Sequence, residues 1–252
     1  MPHTHPLAGK APEAFLESLL SGDRPLSSCA HEIHDLKSGR VTAVEILTRY
    51  TDEAGVQQAV GNILRDIQCP APIRAKLDLA CVEGAFSAVG RNSGRWDIAF
   101  INLEPATLAE SAFWNRLPGW MQTPGLNGTQ VVIELTESCS ALEMDDLHAH
   151  SRRLRDFGVR IAVDDLGSGV ASLTHMARLA PDYIKADQSL VRLAHRRPYQ
   201  AALLNALAHF ARRMCVGFIA EGIETAEELQ AVQDADVPWA QGFVYGEPVP
   251  LA

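Results

Sequence analysis

The stretch that decides the fold is residues 131–165, VVIELTESCSALEMDDLHAHSRRLRDFGVRIAVDD. It opens on the apolar run Val131-Val132-Ile133 and meets a carboxylate at Glu134. A helical pattern over 141–157 follows, and a second apolar run, Ile161-Ala162-Val163, ends in Asp164-Asp165. A strand, a helix and a strand in that order make a parallel pair with a crossover. An ionised group inside a buried strand costs several kcal/mol unless it is paired or bound to a cation. Carboxylates placed where the strands end therefore point to a shared site at one edge of the sheet.

Working outward, the same rule recurs. Ile98-Ala99-Phe100-Ile101 runs into Asn102, Tyr183-Ile184 into Lys185, and Phe218-Ile219-Ala220 into Glu221. Further helices are predicted over about 107–117, 170–179, 197–214 and 225–234, and the Pro- and Gly-marked stretch 117–129 reads as a loop. Near the start, His31-Glu32-Ile33-His34-Asp35-Leu36 and Val41-Thr42-Ala43-Val44-Glu45-Ile46-Leu47 flank Lys37-Ser38-Gly39-Arg40, which predicts two strands joined by a tight turn. Six strand–helix units plus this pair give about eight strands. That fits an α/β fold, a (β/α)8 TIM-like barrel with an irregular opening strand pair. An open doubly wound sheet is the structural runner-up. No GxGxxG follows an early strand, which weakens a dinucleotide-binding reading.

Bulk properties narrow the class. The chain has 252 residues, 47% hydrophobic and 21% charged, enough for one large core. Residues 1–25 read as a leader with a short helix near Pro12–Leu20, and 26–252 as the main domain. No apolar run approaches the roughly 20 residues of a membrane span, and the start lacks a secretory pattern. No membrane partner and a cytoplasmic location are expected. Cys29, Cys69, Cys81, Cys139 and Cys215 are scattered without a CxxC pair, against a disulfide framework or a zinc ribbon. A net charge of −9 argues against binding DNA or RNA duplexes through a basic field. The runs Arg152-Arg153-x-Arg155, Arg196-Arg197 and Arg212-Arg213 are expected on solvated helix faces.

Ligands gather at the carboxyl ends of parallel strands. The residues expected there are Glu45, Asn102, Glu134, Asp164, Asp165, Lys185, Glu221 and Gln241. Oxygen donors dominate, which favours Mg2+ or Mn2+ over zinc. Without a cation, clustered acids repel one another and are driven to protonate. Any single acid here could instead cap the following helix. Lys185 could be a salt-bridge partner or a Schiff-base lysine, and an enolase-type site remains open. Spacing does not separate these chemistries.

The local strings do. Glu45-Ile46-Leu47-x-Arg49, Ile101-Asn102-Leu103-x-Pro105, Glu134-Leu135-Thr136-Glu137, Asp164-Asp165-Leu166-Gly167-Ser168-Gly169, Pro181-Asp182-Tyr183-Ile184-Lys185-Ala186-Asp187, Ala220-Glu221-Gly222-Ile223-Glu224-Thr225 and Gln241-Gly242-Phe243 occur in order. Together they resemble the EAL family of cyclic di-GMP phosphodiesterases, from about Ser27 to Pro250. The resemblance implies hydrolysis of cyclic di-GMP to linear pGpG with one or two Mg2+ or Mn2+ ions. It implies Glu45, Asn102, Glu134 and Asp164 as ligands of a first metal, and Asp164, Asp165 and Glu221 around a second. Lys185 would position the attacking water, Gln241 would complete the floor, and Arg49 would contact phosphate. Glu137 and the loop Gly167, Ser168, Gly169 would steady the metal site and lead to the family's dimer contact, so a homodimer is expected. Regulation is expected from a partner protein, the leader, oligomerisation or expression. The rival implied by the same resemblance is a receptor or interaction module that turns over poorly.

The departures are as informative. Ile46 stands where the signature has Ala, Leu166 where Phe is usual and Ala186 where Ile is usual. His31-Glu32-Ile33 stands where the first strand usually begins Gln-Pro-Ile. Residues 50–73 match the family pattern least.

Overall fold

The computed structural model describes residues 12–66, 71–136, 144–167 and 179–251. Helix α1 (Pro12–Leu20) precedes β1 (Leu26–Asp35) and β2 (Val41–Thr51). The short β3 (Gln57–Ala59) leads into α2 (Val60–Asp66) and the long α3 (Ala71–Arg91). Then come β4 (Ile98–Leu103), a 3-10 turn (Pro105–Ala109), α4 (Ser111–Trp120), β5 (Gln130–Thr136), α5 (Met144–Asp156) and β6 (Arg160–Leu166). The rest is β7 (Tyr183–Ala186), α6 (Gln188–Val191), α7 (Pro198–Arg213), β8 (Gly217–Ala220), α8 (Ala226–Asp234), β9 (Trp239–Ala240) and β10 (Val249–Pro250).

Strand β1 pairs antiparallel with both β2 and β9, and the parallel series β2-β4-β5-β6-β7-β8-β9 completes the circuit. The barrel is therefore closed with eight strands, and the open-sheet alternative falls. The opening pair is the irregular element: β1 runs against all its neighbours. Its turn is tight because Asp35 Oδ1 accepts from the amides of Ser38 (2.6 Å) and Lys37 (3.1 Å), and Gly39 takes φ +69°.

Most predicted elements match, with two refinements. The stretch expected as loop from 117 begins as helix, since α4 continues through Trp120 with Pro118 inside it. Burial of Leu117 and Trp120 holds that last turn against the proline's missing donor. Residues 57–66, where the family pattern was hardest to place, form β3 and α2. The arginine runs are exposed as expected, but Arg196 and Arg197 lie in the turn before α7 and not on a helix face; Arg155 is half-buried and donates to Ala180 O (2.6 Å) and Asp182. The helix expected over 170–179 lies outside the described residues except at its end, and so do Cys69, Cys139, Glu137, Ser168 and Gly169.

Alternation along each strand sorts the side chains into two cores. Outward-facing Ile46, Ile101, Ile133, Ile161 and Val163 pack beneath the helices with Phe86, Phe113 and Leu154. Inward-facing Ile33, Ala43, Phe100, Val132, Ala162 and Ile219 fill the barrel, with Tyr183 and Trp239 against them. Phe100 meets Tyr183 edge-on (5.1 Å between centroids), and Tyr183 stacks on Trp239 (5.6 Å). Helix α1 is built into the same body: Phe15, Leu16 and Leu19 are buried with Tyr50, Val60, Ile63 and Leu77.

Candidate active site

The apolar plug sets the level of the site. Two residues beyond each of its members on the parallel strands stand Glu45 after Ala43, Asn102 after Phe100, Glu134 after Val132 and Asp164 after Ala162. Lys185 follows Tyr183, Glu221 follows Ile219, and Gln241 follows Trp239 by the same step. Strand β1 runs the other way, so its member lies two residues before Ile33, at His31, whose Cα is paired with that of Glu45. Period-two alternation returns each of these positions to the barrel's inside, one layer above the plug. Eight strands thus contribute one polar side chain each to a single ring. The sequence reading placed seven of them at the strand ends; it singled out His31 only as standing at the family's first-strand Gln, and the antiparallel run of its strand hid its membership of the ring.

Lys185 is the hub. Its Nζ lies 2.5 Å from Glu221 Oε1, 2.7 Å from Glu134 Oε1, 3.3 Å from Glu45 Oε2 and 3.7 Å from Asp164 Oδ1, with the side chain 1% exposed. Burial alone would pull the ammonium down, but Asp164, Glu134, Glu221 and Glu45 hold it well above the ordinary lysine value. Four carboxylates held around its ammonium favour a charge-balancing role for Lys185 over a Schiff-base one.

The acids differ by surroundings. Burial acts to raise Glu45, yet Lys185 and hydrogen bonds from Asn102 Nδ2 (2.8 Å) and Gln241 Nε2 (2.8 Å) bring it down to about 2. Glu134 and Glu221 go the other way. Burial drives both well above the usual carboxylate range, Lys185 opposes, and the neighbouring acids push further. Glu134 Oε2 and Asp164 Oδ1 are buried without a hydrogen-bond donor, although the lysine charge is near. Carboxylate oxygens of Asp164, Asp165 and Glu221 come within 4.8 Å of one another. One lysine against this many acids leaves surplus negative charge on an all-oxygen donor set. A hard divalent cation fits that set.

Adjacent aspartates on a regular strand would face opposite sides. Here the β6–β7 register breaks between Val163 and Leu166, and Asp165 takes φ +59°. The break undoes the alternation, so both carboxylates reach the mouth. Gly167 follows at φ +108°, where a Cβ would stand 2.5 Å from Leu190 Cγ; only glycine lets the chain turn there. Leu166 and Ala186 are buried in the outer core with Leu190, and Ile46 points out of the barrel, away from Glu45. Those departures are packing changes behind the ring. The helix-cap reading is right for one acid of the motifs: Asp187 accepts from the Ser189 amide (2.8 Å) at the start of α6.

Arg49 lies four residues beyond Glu45 on β2, above the ring, and its guanidinium bonds the Thr48 carbonyl (3.3 Å). It lines a cavity of about 620 Å3 with His31, Gln57, Gln188, Gln241 and Phe243. Phe243 is 57% exposed, an aromatic face open at the mouth. On the other flank, Asp78 of α3 is buried and pushed up to about 7 by burial; it accepts from the Glu104 amide (3.1 Å) two residues after Asn102. Neither Asp78 nor the Asp165 turn carries a sequence signal separable from ordinary helix and strand residues.

The comparisons agree with this architecture. A family model described as the EAL domain matches residues 20–248. "Cyclic di-GMP phosphodiesterase PdeR" of Escherichia coli is 31% identical over 151 residues, 60% of this chain and 23% of that protein. "Probable cyclic di-GMP phosphodiesterase PdeN" of the same organism is 25% identical over 224 residues, 86% of this chain and 42% of that one. Among solved structures, the Klebsiella pneumoniae BlrP1 manganese and cyclic di-GMP complex superposes with a TM-score of 0.76 at 27% identity, over 90% of this chain and 56% of that chain. Bacillus subtilis YkuI, solved with cyclic di-GMP and calcium, shares the fold at TM-score 0.80 and 21% identity, over 96% of this chain and 60% of that one. The chain spans less than a quarter of the length of the first curated relatives, at 19% and 23%. Among the described residues, no helix is long and apolar enough to cross a membrane.

Proposed function

Because this chain belongs to the EAL domain family, we propose that it hydrolyses one phosphodiester of cyclic di-GMP to linear pGpG. Water adds to phosphorus, the bond to one ribose 3′ oxygen breaks, and that oxygen leaves with a proton. The observation that carries the reading is the ring itself: four carboxylates converge on Lys185, and buried oxygens of Glu134 and Asp164 lack a donor. Glu45, Asn102, Glu134 and Asp164 would hold one Mg2+ or Mn2+, and Asp164, Asp165 and Glu221 a second. Such ions supply Lewis acidity, a nucleophile at neutral pH and charge neutralisation at the phosphoryl group.

The chain's own groups have separate tasks. Lys185 orients the attacking water beside Glu221 and offsets negative charge developing on phosphorus. Asn102 and Gln241 lock Glu45 in its ionised form and fixed rotamer. Arg49 receives a phosphate at the mouth, supplying locally the cation that a chain of net charge −9 otherwise lacks. The Gly167 turn keeps Asp165 in register with Asp164. Glu137, Ser168 and Gly169 would extend that support. The family resemblance also supports a homodimer, a cytoplasmic location and control by a further protein; the division at about residue 25 between leader and catalytic domain would be one of sequence, since helix α1 before it packs into the same core.

The test is direct. Purified protein incubated with cyclic di-GMP and Mg2+ or Mn2+ should form pGpG, resolved by chromatography. Binding without pGpG would replace the enzyme with a receptor of the same fold.

A further inference from the structure

Strand β2 outruns its parallel neighbour. Its ladder with β4 ends at Ile46–Ile101, yet the strand continues to Thr51 and carries Arg49 on the overhang. Along the overhang β1 pairs Ser27 with Arg49 and Leu26 with Tyr50, while the three-residue β3 pairs Ala59 with Arg49 and Gln58 with Tyr50. A ribbon this small stays ordered only when one face is packed. Alternation gives it two faces. Arg49 and Gln57 line the cavity beside Glu45 and Glu221, whereas Tyr50, on the back, is fully buried.

Helix α1 covers that back. Phe15, Leu16 and Leu19 are buried with Tyr50, together with Val60 and Ile63 of α2 and Leu77 of α3. The Phe15 ring meets Tyr50 edge-on, 5.4 Å between centroids. Arg24, just past the helix, lies over Phe15 (5.4 Å to the centroid) and pairs with Glu53 in the β2–β3 turn (2.9 Å). Asp52 closes the same turn, accepting from the amides of Ala54 and Val56 and from Gln58 Nε2, each at 2.9 Å. All but the last residue of α1 precedes the family match, so the likeness is silent on what the helix does. We propose that α1 is a positioning element for substrate binding: through Phe15 and Tyr50 it fixes the overhanging end of β2, and with it the proposed phosphate contact, Arg49. Loosening α1 then weakens the hold on substrate and leaves the metal ring below untouched. This rests on reading the cavity as a phosphodiester site.

The experiment is a double-mutant cycle in the full chain, pairing Phe15→Ala with Arg49→Ala and measuring cyclic di-GMP hydrolysis at saturating Mn2+. Phe15→Ala should raise KM about fivefold with Arg49 present and by less than about twofold once Arg49 is alanine, with kcat within about threefold. The Mn2+ concentration for half-maximal activity should not move. Phe15→Leu, which keeps an apolar side chain against Tyr50, should recover most of the KM. Leu154→Ala, a cavity in the core under α5, controls for lost stability alone, and its effect on KM should be equal in both Arg49 backgrounds. Equal KM losses from Phe15→Ala in both backgrounds would overturn the proposal and leave α1 a stabilising helix only. A loss of kcat or of Mn2+ affinity at unchanged KM would overturn it as well. Should Phe15→Ala not fold, Leu19→Ala takes its place with the same expectations. Wild type that neither binds nor cleaves cyclic di-GMP would defeat the substrate reading and this inference with it; wild-type turnover with additive losses would defeat this inference alone.

Discussion

Two layers of the same barrel, a two-residue step apart on the same strands, obey opposite physics. The lower layer, Ala43, Phe100, Val132, Ala162, Ile219, Tyr183, Trp239 and Ile33, is apolar and stabilises by burial and close packing. The upper layer, Glu45, Asn102, Glu134, Asp164, Glu221, Lys185, Gln241 and His31, is as deeply placed in several positions but carries charge. Glu134 and Lys185 are each 1% exposed, as dry as the plug beneath them. The difference teaches that depth does not decide the chemistry of a barrel position; the ability to be neutralised does. The lower layer is complete by itself, whereas the upper one is balanced only in part by Lys185.

Truncating the lower layer should cost stability alone. Phe100→Ala leaves a cavity under Asn102 and should destabilise by about 3–5 kcal/mol, with no dependence on Mn2+ beyond that of wild type, in denaturant titrations. A comparable loss in the upper layer should depend on metal. Lys185→Met strands four acids and should destabilise by about 3–5 kcal/mol in chelator, with much of the loss recovered on adding Mn2+. Equal loss with and without Mn2+ would erase the distinction between the layers.

Glu45→Ala should reverse the pattern, lowering turnover by about 100- to 1000-fold while costing less in folding than Phe100→Ala. Unchanged product formation would exclude Glu45 from the site. The smallest effect concerns Asp78, behind the ring. Burial raises this acid from 3.8 in the unfolded chain to about 7, so the folded state holds its proton more tightly. Its stabilising contribution is full below about pH 4 and fades as pH rises through 7. Asp78→Asn should flatten that slope in melting curves taken from pH 4 to 8. An unaltered slope would assign the pH dependence elsewhere.

Much of this was legible in the chain because strands and helices write different periods. The runs ending in Glu134, Asp164, Lys185 and Glu221 revealed parallel strands and the edge where ligands collect. The motif order then narrowed hard-cation chemistry to one family. Other features were silent for physical reasons. Sequence alternation predicts that Asp165 faces away from Asp164; a register break and a left-handed backbone reverse it. His31 lies far from Gln241 in sequence, and only closure of the barrel sets them 2.8 Å apart. Helix α4 passes Pro118 because nonlocal burial outweighs one lost hydrogen bond.

By itself, the sequence determined the order of elements, the oxygen-rich donor set and the family, since these rest on local periodicity and residue type. The tertiary structure alone decided which strand closes the barrel, which way Asp165 turns, and that His31 comes to stand beside Gln241. Those depend on contacts between residues distant in the chain, where packing and charge balance choose among conformations that the local sequence permits equally.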